Sequence, residues 1–369
     1  MPKQHILKRF HIWRYKKVSQ KNFVYLLSML VGLLAGLAAV TLKNITYSIE
    51  SVLEKGIIFS QNQLYFILPV FGLLFVYLLR KYVFKKKLSP SVPPYIKRAI
   101  PSLLYSLLRQ KGFMSYRLIY QPLILAPLTV GFGGSVGLLG PTITSGSAIS
   151  SNLSKLLHVD KKTRTVLIAC ASAAAMASMF KSPIAGIVFA IEVFSLDLAF
   201  ASLVPLLIAS ISSILTSYFF LGDELFFNFN LTDKFTSSET LFYIVLGIGT
   251  GVASVYFTKI YFAIYAFFER FKSRFVKLLI GGFAIGIMLY FIPPLYGEGL
   301  GFTKDLFEGN YLHALGSNPF DAYIDNIWVV IILLFGFTVF KAVAMTITFA
   351  AGGVGGVIVP TMVMGSALG

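Results

Sequence analysis

The chain has 369 residues, 56% of them hydrophobic and 13% charged, with a mean hydropathy of +0.78. A soluble domain carries roughly twice that charged fraction, so the composition excludes a large soluble enzyme and calls for lipid as solvent. The net charge of +17 would suit nucleic acid, but its distribution argues for membrane topology and against a nucleic-acid patch.

Residues 1–21 hold seven Lys/Arg and no carboxylate. The segment is basic throughout and lacks the apolar core of a signal peptide. It reads as an amphipathic interfacial helix with Ile6, Phe10, Trp13 and Val18 on one side. Spanning helices are predicted over 22–42, 64–83, 118–132, 201–221, 241–262, 275–292 and 327–350. Residues 165–200 form a longer apolar run, predicted to be two helices meeting at Ser182-Pro183. Residues 80–98 hold another seven Lys/Arg and no acid, while the loop expected over 43–62 holds two charges of each sign. That alternation puts the N-terminus and the second basic segment on the cytoplasmic side of a cell membrane. Cys170, in an Ala-rich helix, reads as a packing residue, and the four histidines are too scattered for a metal site.

The chain repeats itself. Residues 133–148 and 352–367 both read GGxxGxxxPTxxxGSA, with every matched position offset by 219 residues (Gly133 to Gly352). Packing glycines alone do not explain a shared Pro-Thr and Gly-Ser-Ala at one offset. Duplicated halves with Gly/Pro-interrupted apolar segments indicate a transporter-like architecture, for which an inverted repeat is expected, although one sequence does not fix the orientation of the halves. The expected fold is an all-α integral membrane bundle with broken, re-entrant helices whose N-termini meet at mid-membrane. Its divisions are a basic segment at 1–21, a first repeat at 22–200 and a second at 201–369. The first half continues past Ala148, and its counterpart would extend some way past Gly369, so the second repeat is expected to be incomplete.

In Gly137-Leu138-Leu139-Gly140-Pro141, glycines release the chain from helical geometry and proline opens a new helix. The N–H groups of that first turn lack intrahelical partners and, with the helix dipole, form an anion site. Gly355-Gly356-Val357-Ile358-Val359-Pro360 does the same in the second half. Ser89-Pro90-Ser91-Val92-Pro93-Pro94 is either a third such entry or an ordinary cytoplasmic loop.

Taken in order, these segments resemble the GSGIP, GREGP and GGxFxP signatures of the CLC chloride channel and transporter family. The stretch from Phe180 to Glu192 resembles its FNAPLAGxLFxxE helix. The resemblance implies a homodimer in the lipid bilayer, with one anion pathway per subunit and no cofactor beyond the transported chloride or other small anion. The pathway would be lined by Ser89, Pro90, Ser91 and Val92, by Gly137, Leu138, Leu139 and Gly140, and by Val357, Ile358 and Val359. A further helix with a coordinating tyrosine would lie beyond Gly369. The family's gating glutamate falls on Leu139 and its internal proton-transfer glutamate on Val193, and neither replacement binds a proton. Residues 55–159 contain no Asp or Glu at all, so no carboxylate is expected near the first motif.

These readings point to passive small-anion conduction without proton coupling and with weak pH dependence. The alternative is a secondary anion transporter, perhaps for nitrate, because Pro90 resembles nitrate-favouring members of the family. No paired carboxylates, His cluster or Ser/His/Asp arrangement points to an enzyme.

Overall fold

The structure, a computed structural model, describes residues 17–59, 63–84, 99–195, 200–222, 239–310 and 327–369. Among them, seven helical stretches are long and apolar enough to cross a membrane: Gln20–Gly56, Leu64–Val83, Lys161–Phe180, Ser202–Leu221, Thr240–Glu269, Arg274–Phe291 and Trp328–Ala350. In chain order the α-helices are α1 (Gln20–Phe59), α2 (Leu68–Leu78), α3 (Ala99–Arg109), α4 (Arg117–Gly131), α5 (Leu139–Leu156), α6 (Lys161–Phe180), α7 (Pro183–Phe194), α8 (Phe200–Leu221), α9 (Thr240–Glu269), α10 (Arg274–Phe291), α11 (Leu300–Phe307), α12 (Ile327–Ala350) and α13 (Ile358–Ser366). The all-α membrane fold expected from the sequence is the one observed.

Two expectations need correction. The sequence reading ends the first helix near residue 42, whereas α1 runs on to Phe59. Residues 43–59 contain no proline, and Gly56 is the first glycine after Leu42. A helix continues until something stops it, whether or not its polar residues remain in lipid. The second correction is α4. Its 15 residues rise only about 22 Å, short of a bilayer's apolar core. The break at Ser182-Pro183 appears as expected. Asp160 caps α6 by accepting from the Thr163 amide at 3.1 Å. Lys181 then adopts a left-handed conformation (φ 53°), and Pro183 opens α7. The Lys181 ammonium donates to the Gly222 carbonyl beyond α8 (2.7 Å), satisfying an end that the helix itself leaves unpaired.

Contacts group the chain into two units. The first draws on the described residues of 1–42, 87–123 and 141–224. Its core is built from small side chains: Ala35, Ala169, Cys170, Ala173, Ala174, Ala190, Leu206 and Ala209 are all fully buried. Small residues let helix backbones approach, and α8 is stitched to α6 by Ser213 donating to the Ala174 carbonyl (2.6 Å) and Ser217 to that of Ser178 (3.2 Å). The second unit draws on 43–86, 124–140 and 225–369. There α10 packs against α2 and α12, and the rings of Phe302 and Phe337 stack at 4.0 Å. Both repeat motifs up to Gly140 and Gly369 fall in this second unit, and so do the residues whose hydrogen bonds build the site below.

Candidate functional site

The two glycine-rich segments fold alike, step for step. Thr129 and Thr348 sit in the last turns of α4 and α12, and each hydroxyl donates to the carbonyl four residues back (Leu125, 2.9 Å; Ala344, 2.8 Å). Gly133 (φ 89°) and Gly352 (φ 108°) then turn the chain through the left-handed region, where a side chain is strained. Gly134 and Gly353 donate back to the carbonyls of Thr129 and Thr348, both at 2.8 Å.

The motifs also hold each other reciprocally. The Ser135 amide donates to Thr348 Oγ1 (3.2 Å), and the Val354 amide donates to Thr129 Oγ1 (3.0 Å). Gly137 and Gly356 exchange amide-to-carbonyl bonds at 2.9 and 2.6 Å as an isolated antiparallel bridge. Every pair in this set is related by the same 219-residue offset seen in the sequence (Gly137 to Gly356). An antiparallel bridge between equivalent residues requires a local two-fold relation with the two chains running in opposite directions. The repeats are therefore inverted at this point, which the sequence pattern suggests without fixing.

Two residues beyond the bridge on each side a helix begins: α5 at Leu139 and α13 at Ile358, with Val357 as the N-cap. Gly356 lies against the Gly140 amide, so the two helix mouths adjoin. Neither first turn carries an acid. Gly137, Leu138, Leu139, Gly140 and Val359 are buried, while Val357 and Ile358 are half-buried. The mouth is thus an apolar-walled place onto which two helix N-termini and their dipole ends face, which favours an anion. Of the other expected site residues, Val193 lies half-buried near the end of α7. Ser89, Pro90, Ser91 and Val92 lie outside the described residues.

The mouth of α5 does have an acid, contrary to the expectation from the acid-free stretch 55–159. Leu138 donates its amide to Glu298 Oε1, from a residue 160 positions away in sequence. Absence of acids along the chain says nothing about neighbours in space. Glu298 lies between α10 and α11, flanked by Gly297 (φ 58°) and Gly299 (φ 84°). The two left-handed glycines form the turn from which its side chain reaches Leu138. Lys341, fully buried within α12, holds the same turn by donating to the carbonyls of Leu295 (3.2 Å) and Gly297 (3.0 Å). The Tyr296 hydroxyl donates to the Gly131 carbonyl at the end of α4. Packing around the half-buried Glu298 pushes its carboxyl up to about 7, against the opposing pull of the Leu138 amide, Lys43 and Lys341.

Sequence reasoning missed both Glu298 and Lys341. A signal for Lys341 was available: it is the lone charge in the 24 residues of α12, and an ionisable residue inside a spanning helix is a functional candidate by default. Glu298 offered only a Gly-Glu-Gly turn in a loop.

Comparison with known proteins bears on the family and the fold. A family model described as voltage gated chloride channel matches residues 71–369. An uncharacterized protein of Methanocaldococcus jannaschii is 27% identical over 67% of this chain and 58% of its own length. Chloride channel protein CLC-f of Arabidopsis thaliana is 27% identical over 67% of this chain and 31% of its own. An H(+)/Cl(−) exchange transporter of Vibrio campbellii is 26% identical over 65% of this chain and 49% of its own. The chain thus spans between about a third and three-fifths of these curated relatives. Among solved structures, a CLC-type fluoride/proton antiporter superposes with a TM-score of 0.73 at 23% identity, over 94% of this chain and 80% of that one. A slow cyanobacterial Cl−/H+ antiporter does so with a TM-score of 0.74 at 18% identity, over 94% and 78%. With its paired motifs, inverted mouth and membrane helices, the chain belongs to the voltage gated chloride channel (CLC) family.

Proposed function

We propose that this chain forms a passive pathway for small anions such as chloride, multi-pass in a cell membrane, with a cytoplasmic N-terminus and two copies per assembly. The observation that carries the reading is the bridged pair of helix mouths: adjoining N-termini held together by Gly137 and Gly356, in a protein whose other long helices are apolar. Such an arrangement binds anions by backbone and dipole, and it needs no enzyme chemistry. The domain division at 1–21, 22–200 and 201–369 follows the repeat and belongs to the same proposal.

Absence of proton coupling is supported by Leu139, fully buried at the first position of α5, and by Val193 on α7. Proton transport across a bilayer uses a relay of titratable groups, and neither position supplies one. A second reading, coupled anion/proton exchange, is favoured by Glu298 at the mouth and by the exchange transporters among the relatives.

The experiment for the common core of both readings is anion efflux from proteoliposomes of the full-length protein. Chloride is expected to leave on addition of a potassium ionophore, well above the rate of protein-free vesicles. Efflux equal to that of empty vesicles contradicts anion transport altogether.

A further inference from the structure

We infer that the basic ends of α2 and α10 form a binding site for the phosphate headgroup of an anionic membrane lipid, with Arg80 and Arg274 at its centre. The inference needs these helices to lie in a membrane and does not depend on what the protein conducts. Beyond Leu78 the α2 helix widens into a π-turn over Leu79–Val83 that carries Arg80 and Lys81, and turns of this kind recur at functional sites. α10 packs against α2, and the rings of Tyr77 and Phe275 meet across the pair at 6.1 Å. That packing brings Arg80 close enough to Arg274 for the two charges to act on each other. Arg270 and Lys272 precede Arg274 and are exposed with it, and Lys277, half-buried, follows one turn on.

Like charges gathered in this way repel one another, and the chain supplies little to offset them. Residues 80–98 hold seven Lys/Arg and no acid. Glu269, the acid nearest Arg274 in sequence, forms no ion pair among the described residues. An external anion is the group that these side chains lack. Arg80 offers it a fixed fork: its Nη1 donates to the Gly352 carbonyl at 2.8 Å, which orients the remaining N–H groups of the planar guanidinium. The surroundings identify the anion as part of a lipid. Lys81 lies over the rings of Tyr77 (5.8 Å) and Tyr82 (5.2 Å), and aromatic rings beside basic residues mark the bilayer interface. Phe71, Phe75 and Leu78 on α2 and Phe275 on α10 are exposed, leaving an apolar surface beside the charges for acyl chains. Free phosphate or an acidic peptide has no use for that surface, whereas basic pockets between spanning helices bind lipid headgroups. Gly352 is the left-handed turn of the second repeat motif, so a lipid that holds Arg80 also steadies the segment leading to Val357 and Ile358.

Thermal unfolding of the detergent-solubilised full-length protein, followed while dioleoyl-phosphatidylglycerol is titrated into the micelles, tests this. Phosphatidylglycerol is expected to raise the unfolding midpoint saturably, by linkage to the folded state. Phosphatidylcholine and inorganic phosphate at the same concentrations should leave it unchanged. Each charge removed is expected to raise the half-saturating lipid concentration about fivefold, in Arg274→Gln and in Lys277→Gln alike. Both variants leave the Arg80 bond to Gly352 in place, and should one not fold, the other decides. Lys155→Gln, an exposed position on α5, is the control and should leave the titration as in the parent. A midpoint indifferent to phosphatidylglycerol overturns the site, as does a titration unaltered by Arg274→Gln and Lys277→Gln. An equal rise with phosphatidylcholine or inorganic phosphate overturns the anionic-lipid assignment. Equal weakening by Lys155→Gln overturns it too, because it marks diffuse attraction to the whole basic chain.

Discussion

At the scale of single residues, the turn around Glu298 makes a sharp prediction. Gly299 has φ 84°, and a Cβ there would lie 3.0 Å from Val363 Cγ1 and 3.2 Å from Lys341 Nζ. Gly299→Ala forces an L-residue into the left-handed region, which costs about 1–2 kcal/mol before any crowding. A lowered unfolding midpoint in detergent is expected, and an unchanged one contradicts the described turn. Pro90 carries a second prediction, from sequence alone. A serine there would donate a hydrogen bond to a bound ion, whereas proline has neither hydroxyl nor amide. Losing a hydrogen bond to a charge costs about 1.5–3 kcal/mol, and it weighs more on strongly hydrated chloride than on nitrate. Nitrate is therefore expected to permeate at least as well as chloride, and Pro90→Ser to shift preference toward chloride in bi-ionic reversal potentials. Equal permeability ratios in the two proteins make Pro90 a loop-shaping residue only.

At the scale of elements, the crossed threonines carry the inverted pairing. Each hydroxyl donates within its own helix and accepts the amide of the opposite motif. Thr129→Val keeps the shape and strands the Val354 amide, and leaving such a donor unsatisfied costs about 1–3 kcal/mol. Thr348→Val should cost a similar amount through Ser135, because the two contacts are equivalent by the two-fold. Denaturant unfolding of both variants checks this; a loss in one and none in the other contradicts the equivalence. Much at this scale was legible in the sequence. Proline and glycine mark where helices start, so openings were predicted within residues 137–141 and 355–360 and at Ser182-Pro183, and α5, α13 and α7 begin there. Ile327–Ala350 emerged with the predicted bounds. The end of α1 was not legible, because hydropathy records where lipid stops and not where a helix does. Glu298 was not legible either: its partner is a backbone amide 160 residues away, and backbone donors leave no mark in a sequence.

At the scale of the whole molecule, the proposed function is anion passage without coupled proton movement. Leu139 and Val193 are the two positions on which this turns, since the family resemblance implies acids at both. The measurement that tests this most directly records chloride efflux and proton movement together, in proteoliposomes of the full-length protein with an outward chloride gradient and no proton gradient. Chloride efflux with no accompanying proton uptake is the predicted result. Proton uptake in fixed proportion to chloride efflux, continuing against an imposed proton gradient, would contradict it.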